Sequence, residues 1–193
     1  ELGAAAVFSG ISSRTWVSQR GLLDPQQPID LMITGAGAYQ VNTALVVLEN
    51  THNFGGGTVQ PLGAIRAVRA ATREVHVSMH LDGARLWNAH IATGIPLADY
   101  AQEFDTVSVC LSKGLGAPVG SVLVGARDAI DEAEHLANRR APAHDGVVGV
   151  ARRLGAARAR PRRRPARAAA AAVGGKLAVP NFDGLVRGTS TDF

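Results

Sequence analysis

The 193-residue chain has a single cysteine, Cys110, which excludes an intrachain disulfide framework and a cysteine-rich metal site. Its expected place is a small buried strand residue. No uninterrupted apolar run approaches the roughly 18 residues a bilayer-spanning helix needs; the Ala-rich stretch from Ala166 to Val173 is short and contains Arg167. The first residues, ELGAAAVFSG, carry no basic leader or cleavage pattern, so the expected location is cytoplasmic. Lysine is scarcer than in most proteins: only Lys113 and Lys176 occur.

What the chain does contain fits one α/β domain, with 46% hydrophobic and 19% charged residues. Its net charge of +4 is unevenly spread. Residues 1–138 carry eight basic and thirteen acidic side chains, a balance of −5, whereas residues 139–193 carry twelve and three, or +9. The basic character therefore belongs to the last quarter, where ten of the eighteen arginines fall between Arg139 and Arg167. This Arg/Ala/Pro/Gly run has no sustained hydrophobic period. The expected division is a folded unit over 1–138 and a tail over 139–193 that reads as disordered or as a frameshifted product. A basic nucleic-acid-binding role for residues 152–167 is the competing reading of another class, but no aromatic residue is interleaved there for base stacking.

Along the folded part, VFSGISSRTW reads as a strand and turn, and LLDPQQPIDLMI as a connector leading to a short helix. ALVVLE is a continuous apolar run of the kind that forms a strand buried on both faces. After the turn THNFGGGT, Pro61 opens a helix with Leu62, Ile65, Val68 and Ala71 or Thr72 on its inner face and Arg66, Arg69 and Arg73 on the other. VHVSMHLD alternates with period two, placing Val75, Val77, Met79 and Leu81 together and ending at Asp82. GARLWNAHIATG reads as a short helix closed by Gly94, GIPLADYAQE as irregular, FDTVSVCLS and SVLVG as strands, and ARDAIDEAEHLANRR as a helix. This order is that of an open, mainly parallel sheet with flanking helices. Ligands in such sheets sit outside the carboxyl ends of the strands, where Glu49, Asp82 and Lys113 fall. His76 and His80, four apart on the expected strand, would lie about 13 Å from each other, too far to share one metal, and no metal site is expected.

Lys113 stands at a strand end in CLSKGLGAPVG, beside side-chain-free backbone that a bulky ligand can approach. Pyridoxal phosphate requires such an amine to bond its aldehyde carbon. Asp82, one crossover upstream in HLDGAR, offers the carboxylate that keeps a pyridine nitrogen protonated and the ring electron-withdrawing. Taken alone, Asp82 also suits a helix N-cap, and Lys113 a loop lysine beside a tight turn.

Together, LENTHN, HLDGARLWNA and SVCLSKGLGAPVGSVLVG resemble the successive signatures of the low-specificity threonine aldolases, from about Glu1 to Asn138. The resemblance implies the central part of a fold-type I large domain that binds pyridoxal 5'-phosphate. It also implies cleavage of L-threonine or L-allo-threonine to glycine and acetaldehyde, by a homo-oligomer (dimer or tetramer) acting on small amino acids. By the same carry-over, Lys113 holds the cofactor aldehyde, Asp82 the pyridinium, and Arg85, one helical turn after Asp82, faces the cofactor and the substrate carboxylate. His52 sits by the substrate β-hydroxyl, where a group or an ordered water must take the proton. Glu49, Asn50 and Thr51 are expected to be scaffold for that turn. The family's glycine- and hydroxyl-containing phosphate cradle, its ring-stacking residue and its small-domain arginine have no matching motif, so the chain reads as a large domain truncated at both ends. Another pyridoxal-phosphate lyase or an aminotransferase would use the same residues.

Overall fold

A computed structural model describes residues 3–140 and 148–152; for 137–140 and 148–152 it describes the backbone course only. Five strands form one sheet in the order β1-β2-β3-β4-β5: β1 (Leu45–Glu49), β2 (Ser78–Asp82), β3 (Thr106–Cys110), β4 (Ser121–Gly125) and β5 (Val148–Arg152). All neighbours are parallel except β3 and β4, which run antiparallel. The mainly parallel α/β class therefore holds, and the exception has a simple origin. β1 to β2 and β2 to β3 are bridged by helices that return the chain to the starting edge, α3 (Leu62–Glu74) in the first case and α4 (Leu86–Thr93) with α5 (Leu97–Ala101) in the second. Only the loop that carries Lys113 separates β3 from β4, and a loop without a crossover reverses the strand. β5 and the end of α6 (Arg127–Arg140) lie past the boundary expected at 138, while the Arg-rich stretch from Arg153 onward, with its nucleic-acid reading, lies outside the described residues.

One face of the sheet makes the core. Val46 and Leu48 from β1, Met79 and Leu81 from β2, Val107 and Val109 from β3, and Val122 and Val124 from β4 are all buried with Ile65 and Val68 of α3. Period-two alternation delivers these residues, and the α3 residues recur at three-residue spacing, so each element offers one apolar stripe. The other face differs from expectation. ALVVLE is not buried on both sides: Leu45 and Val47 are 45% and 48% exposed. On that face lie Ser78, His80, Asp82, Thr106, Ser108 and Cys110, none of them buried. Cys110 is likewise partly exposed rather than interior, because its strand position points it away from the core.

Several boundaries move for local reasons. VFSGISSRTW contains no strand; its first residues end α1 (Ala4–Ser9), whose alanines favour helix, and Gly10 closes it in the left-handed region. The short helix after the proline-containing connector is α2 (Gln26–Leu31). β2 starts at Ser78 rather than Val75, because α3 continues to Glu74 and the chain turns through His76 at φ 57°. Val75 is consequently exposed instead of joining the core, and the strand-rise argument for the His76–His80 distance does not apply. GIPLADYAQE is not irregular, since α5 follows Pro96 and buries Leu97 and Tyr100. Among the described residues no helix is long and apolar enough to cross a membrane.

Candidate active site

The carboxyl ends of β1, β2 and β3 open on a cleft of about 1390 Å³ whose lining includes Glu49, His52, Asp82, Arg85, Ser108 and Lys113. Every residue proposed from sequence for the site is thus brought to one cavity. Register explains the assembly: Glu49 is paired with Asp82, and Asp82 with Ser108, so the three strand ends stand side by side.

Asp82 closes β2, and its Oδ1 accepts the Ala84 N–H at 3.0 Å. It does not cap a helix, because α4 begins only at Leu86. Gly83 lets β2 end this close to β3: its N–H donates to the Ser108 carbonyl at 2.7 Å, and a Cβ there would sit 3.0 Å from that same oxygen. Arg85 occupies the residue before α4, with φ −130° and ψ 30°, so it is not one helical turn beyond Asp82 as expected. It reaches the cleft from a turn between strand and helix. Lys113 is exposed on the loop between β3 and β4, which is tied internally by Gly116 N–H to Lys113 O at 3.0 Å and by Ala117 N–H to Leu111 O at 3.0 Å. Among the described residues neither Arg85 nor Lys113 forms an ion pair, which leaves two cations available in the cleft.

His52 is held in a turn packed against the amino-terminal segment. Its N–H donates to Thr58 O at 2.8 Å and its Nδ1 accepts Gly55 N–H at 3.0 Å. Its Nε2 is 3.7 Å from Glu49 Oε2. Gly21, at φ 71°, lies directly against the ring, where any Cβ would collide with the imidazole. Thr58 Oγ1 donates to Arg20 O at 2.7 Å, and Gln60 Nε2 donates to Gly21 O at 2.8 Å, joining the two turns. Gln60 Oε1 in turn accepts the Leu23 N–H, and buried Asn50 offers Oδ1 to the Gln60 N–H. Of the three residues expected to be scaffold, Asn50 and Thr51 are buried, whereas Glu49 is only partly buried and lines the cleft.

Residues not singled out by sequence lie on the same sheet face. His80 Nδ1 pairs with Thr106 Oγ1 at 2.8 Å and its Nε2 lies 3.3 Å from Ser108 Oγ. Burial holds this imidazole below the usual histidine range, against an opposing pull from Asp82. Alternation in TVSVC puts Ser108 on the open face, but its place beside Asp82 is set by strand register; Gln60 carried no signal beyond its position before Pro61. Among the described residues no group of three or more His, Cys, Asp or Glu side chains gathers as a metal would require.

An open, mainly parallel α/β sheet with an amine, a guanidinium and carboxylates gathered at its strand ends has its crevice where sheets of this kind take ligands. The chain belongs to the beta-eliminating lyase family, whose model matches residues 1–177. It is 50% identical over 94 residues to the low-specificity L-threonine aldolase of Candida albicans, covering 49% of this chain and 24% of that one. It is 39% identical over 133 residues to the low specificity L-threonine aldolase of Escherichia coli K12, covering 69% and 39%. The chain thus spans well under half the length of these relatives. The fold is also that of a solved threonine aldolase from Leishmania major, with TM-score 0.52, 23% identity, and coverage of 65% of this chain and 37% of that one.

Proposed function

We propose that this chain carries the lysine, carboxylate and arginine of a pyridoxal-phosphate lyase that cleaves L-threonine and L-allo-threonine to glycine and acetaldehyde. The observation that carries the reading is the meeting of Lys113, Asp82 and Arg85 in one cleft at the strand ends, with both cations free of ion pairs among the described residues. The residues fit the cofactor at two of its ends. Among the described residues Lys113 Nζ has no ion-pair partner and can meet the aldehyde carbon, and Asp82 uses Oδ1 for Ala84 while its second oxygen remains for a protonated ring nitrogen. When bound, pyridoxal phosphate supplies an electron sink for the pair left at the substrate α-carbon.

The chain's own residues orient the rest. Arg85 offers a guanidinium fork to the substrate carboxylate, and the Glu49–His52 turn meets the β-hydroxyl. The names of the relatives support threonine as substrate. The same reading implies a homo-oligomer, dimer or tetramer, working in the cytoplasm on small amino acids.

The test is spectroscopic. Mixed with pyridoxal phosphate, the protein develops the visible absorbance of a lysine-bound cofactor, and Lys113→Ala abolishes it; an unchanged spectrum in the variant rejects the assignment. The family description keeps β-elimination as the competing reaction. Acetaldehyde formed from threonine supports the aldolase reading, whereas ammonia or keto-acid release supports elimination or transamination.

A further inference from the structure

The turn after β1 assigns a proton acceptor other than the histidine. Nδ1 of His52 accepts the Gly55 N–H, so that nitrogen commits its lone pair to the backbone and carries no proton. The neutral ring is therefore the Nε2–H tautomer, and Nε2 lies 3.7 Å from Glu49 Oε2. A ring in this state has a proton to give and no free lone pair to take one.

Glu49 is placed differently. Its Oε1 accepts the Asn53 N–H at 3.0 Å, which fixes the carboxylate, while among the described residues Oε2 accepts no hydrogen bond and faces His52 Nε2 at 3.7 Å, beyond hydrogen-bond length. It ends β1 in register with Asp82 and lines the same cleft.

We infer that Glu49 Oε2 takes the substrate β-hydroxyl proton, and that His52 is the positioning residue that directs its Nε2–H toward this carboxylate. The inference rests on the lyase reading above. In the step, the hydroxyl O–H bond breaks and its proton passes to Glu49. The O–H electron pair becomes the second bond of the aldehyde carbonyl, and the Cα–Cβ bond breaks with its pair left on Cα. Cα then gains a proton from solvent as Glu49 releases its own, giving glycine.

Two measurements decide. Imidazole ¹⁵N NMR of the cofactor-free protein reads the tautomer directly, independently of the lyase reading; His52 protonated at Nε2 with Nδ1 an acceptor is expected, and an Nδ1–H tautomer overturns the assignment. Glu49→Gln keeps the Asn53 contact through its amide oxygen but cannot accept a proton. It is expected to lower threonine cleavage by about 10²–10⁴-fold while exchange of the glycine α-proton in deuterated water, which involves no hydroxyl, stays at the wild-type level. Glu49→Asp, which retains a carboxylate, should recover part of the loss. Cleavage unchanged in Glu49→Gln, or cleavage and exchange lost together, overturns the role. Absence of the visible cofactor band in the unsubstituted protein would instead count against the lyase reading itself.

Discussion

Arg69 illustrates what a side chain's helical position leaves out. Its place on α3 put it with Arg66 and Arg73 on the polar side, and yet its side chain is only 12% exposed and clamps Asp105 through two 2.8 Å hydrogen bonds. Asp105 Oδ2 also accepts the Met79 N–H at 2.7 Å, so one carboxylate joins α3, β2 and the start of β3. The Arg69 hydrogen bonds chiefly, helped by the Met79 N–H and the Arg69 and Arg73 charges, hold Asp105 below the usual carboxylate range against partial burial. A depressed carboxylate stabilises the fold above its unfolded value of about 3.9 and loses that contribution as pH falls through and below it. Asp105→Ala should cost about 1–2 kcal/mol at neutral pH, kept modest because the carboxylate is partly exposed. Denaturant titration at pH 7 and again in acid checks this: the difference from wild type should shrink in acid. His80 acts higher in the scale. Its depressed imidazole stabilises fully above an unfolded value of about 6.5, and stability falls as pH drops below that. A His80→Gln variant should therefore show a flatter pH dependence there. Neither network was legible in the sequence, since each depends on which residues of distant strands become neighbours. That Asp82 and Lys113 come to the cleft at the strand ends was legible, because each follows an alternating run and precedes glycine, a local pattern that needs no tertiary contact to be read.

At the scale of elements, β1 and β2 make the contrast most clearly. The strands themselves were readable from alternation and apolar runs, but an apolar run does not reveal how many of its faces are covered. In β1 only Val46 and Leu48 are buried, so the mixed run LVVLE behaves as a half-buried strand. Substitutions should separate the faces. Met79→Ala, at a fully buried site in β2, is expected to cost about 2–5 kcal/mol. Val47→Thr, on the open face of β1, should stay within about 0.5 kcal/mol of wild type. Equal losses in thermal unfolding would mean that both faces are covered. The beginnings of elements were the least readable parts, because they depend on turns such as His76 at φ 57°, which a β-strand pattern runs straight through.

For the molecule as a whole, the parallel topology is what makes a site. Three strands that end on one side, in register, carry Glu49, Asp82 and the loop of Lys113 to one cleft although they are separated widely in sequence. The central claim is that Lys113 anchors pyridoxal phosphate, and the chain offers an unusually clean measurement because it has only two lysines. The protein is incubated with pyridoxal phosphate, reduced with borohydride, digested and mapped by mass spectrometry. The pyridoxyl mass is predicted on Lys113 and not on Lys176; a label on Lys176 alone, or on neither lysine, would contradict the account.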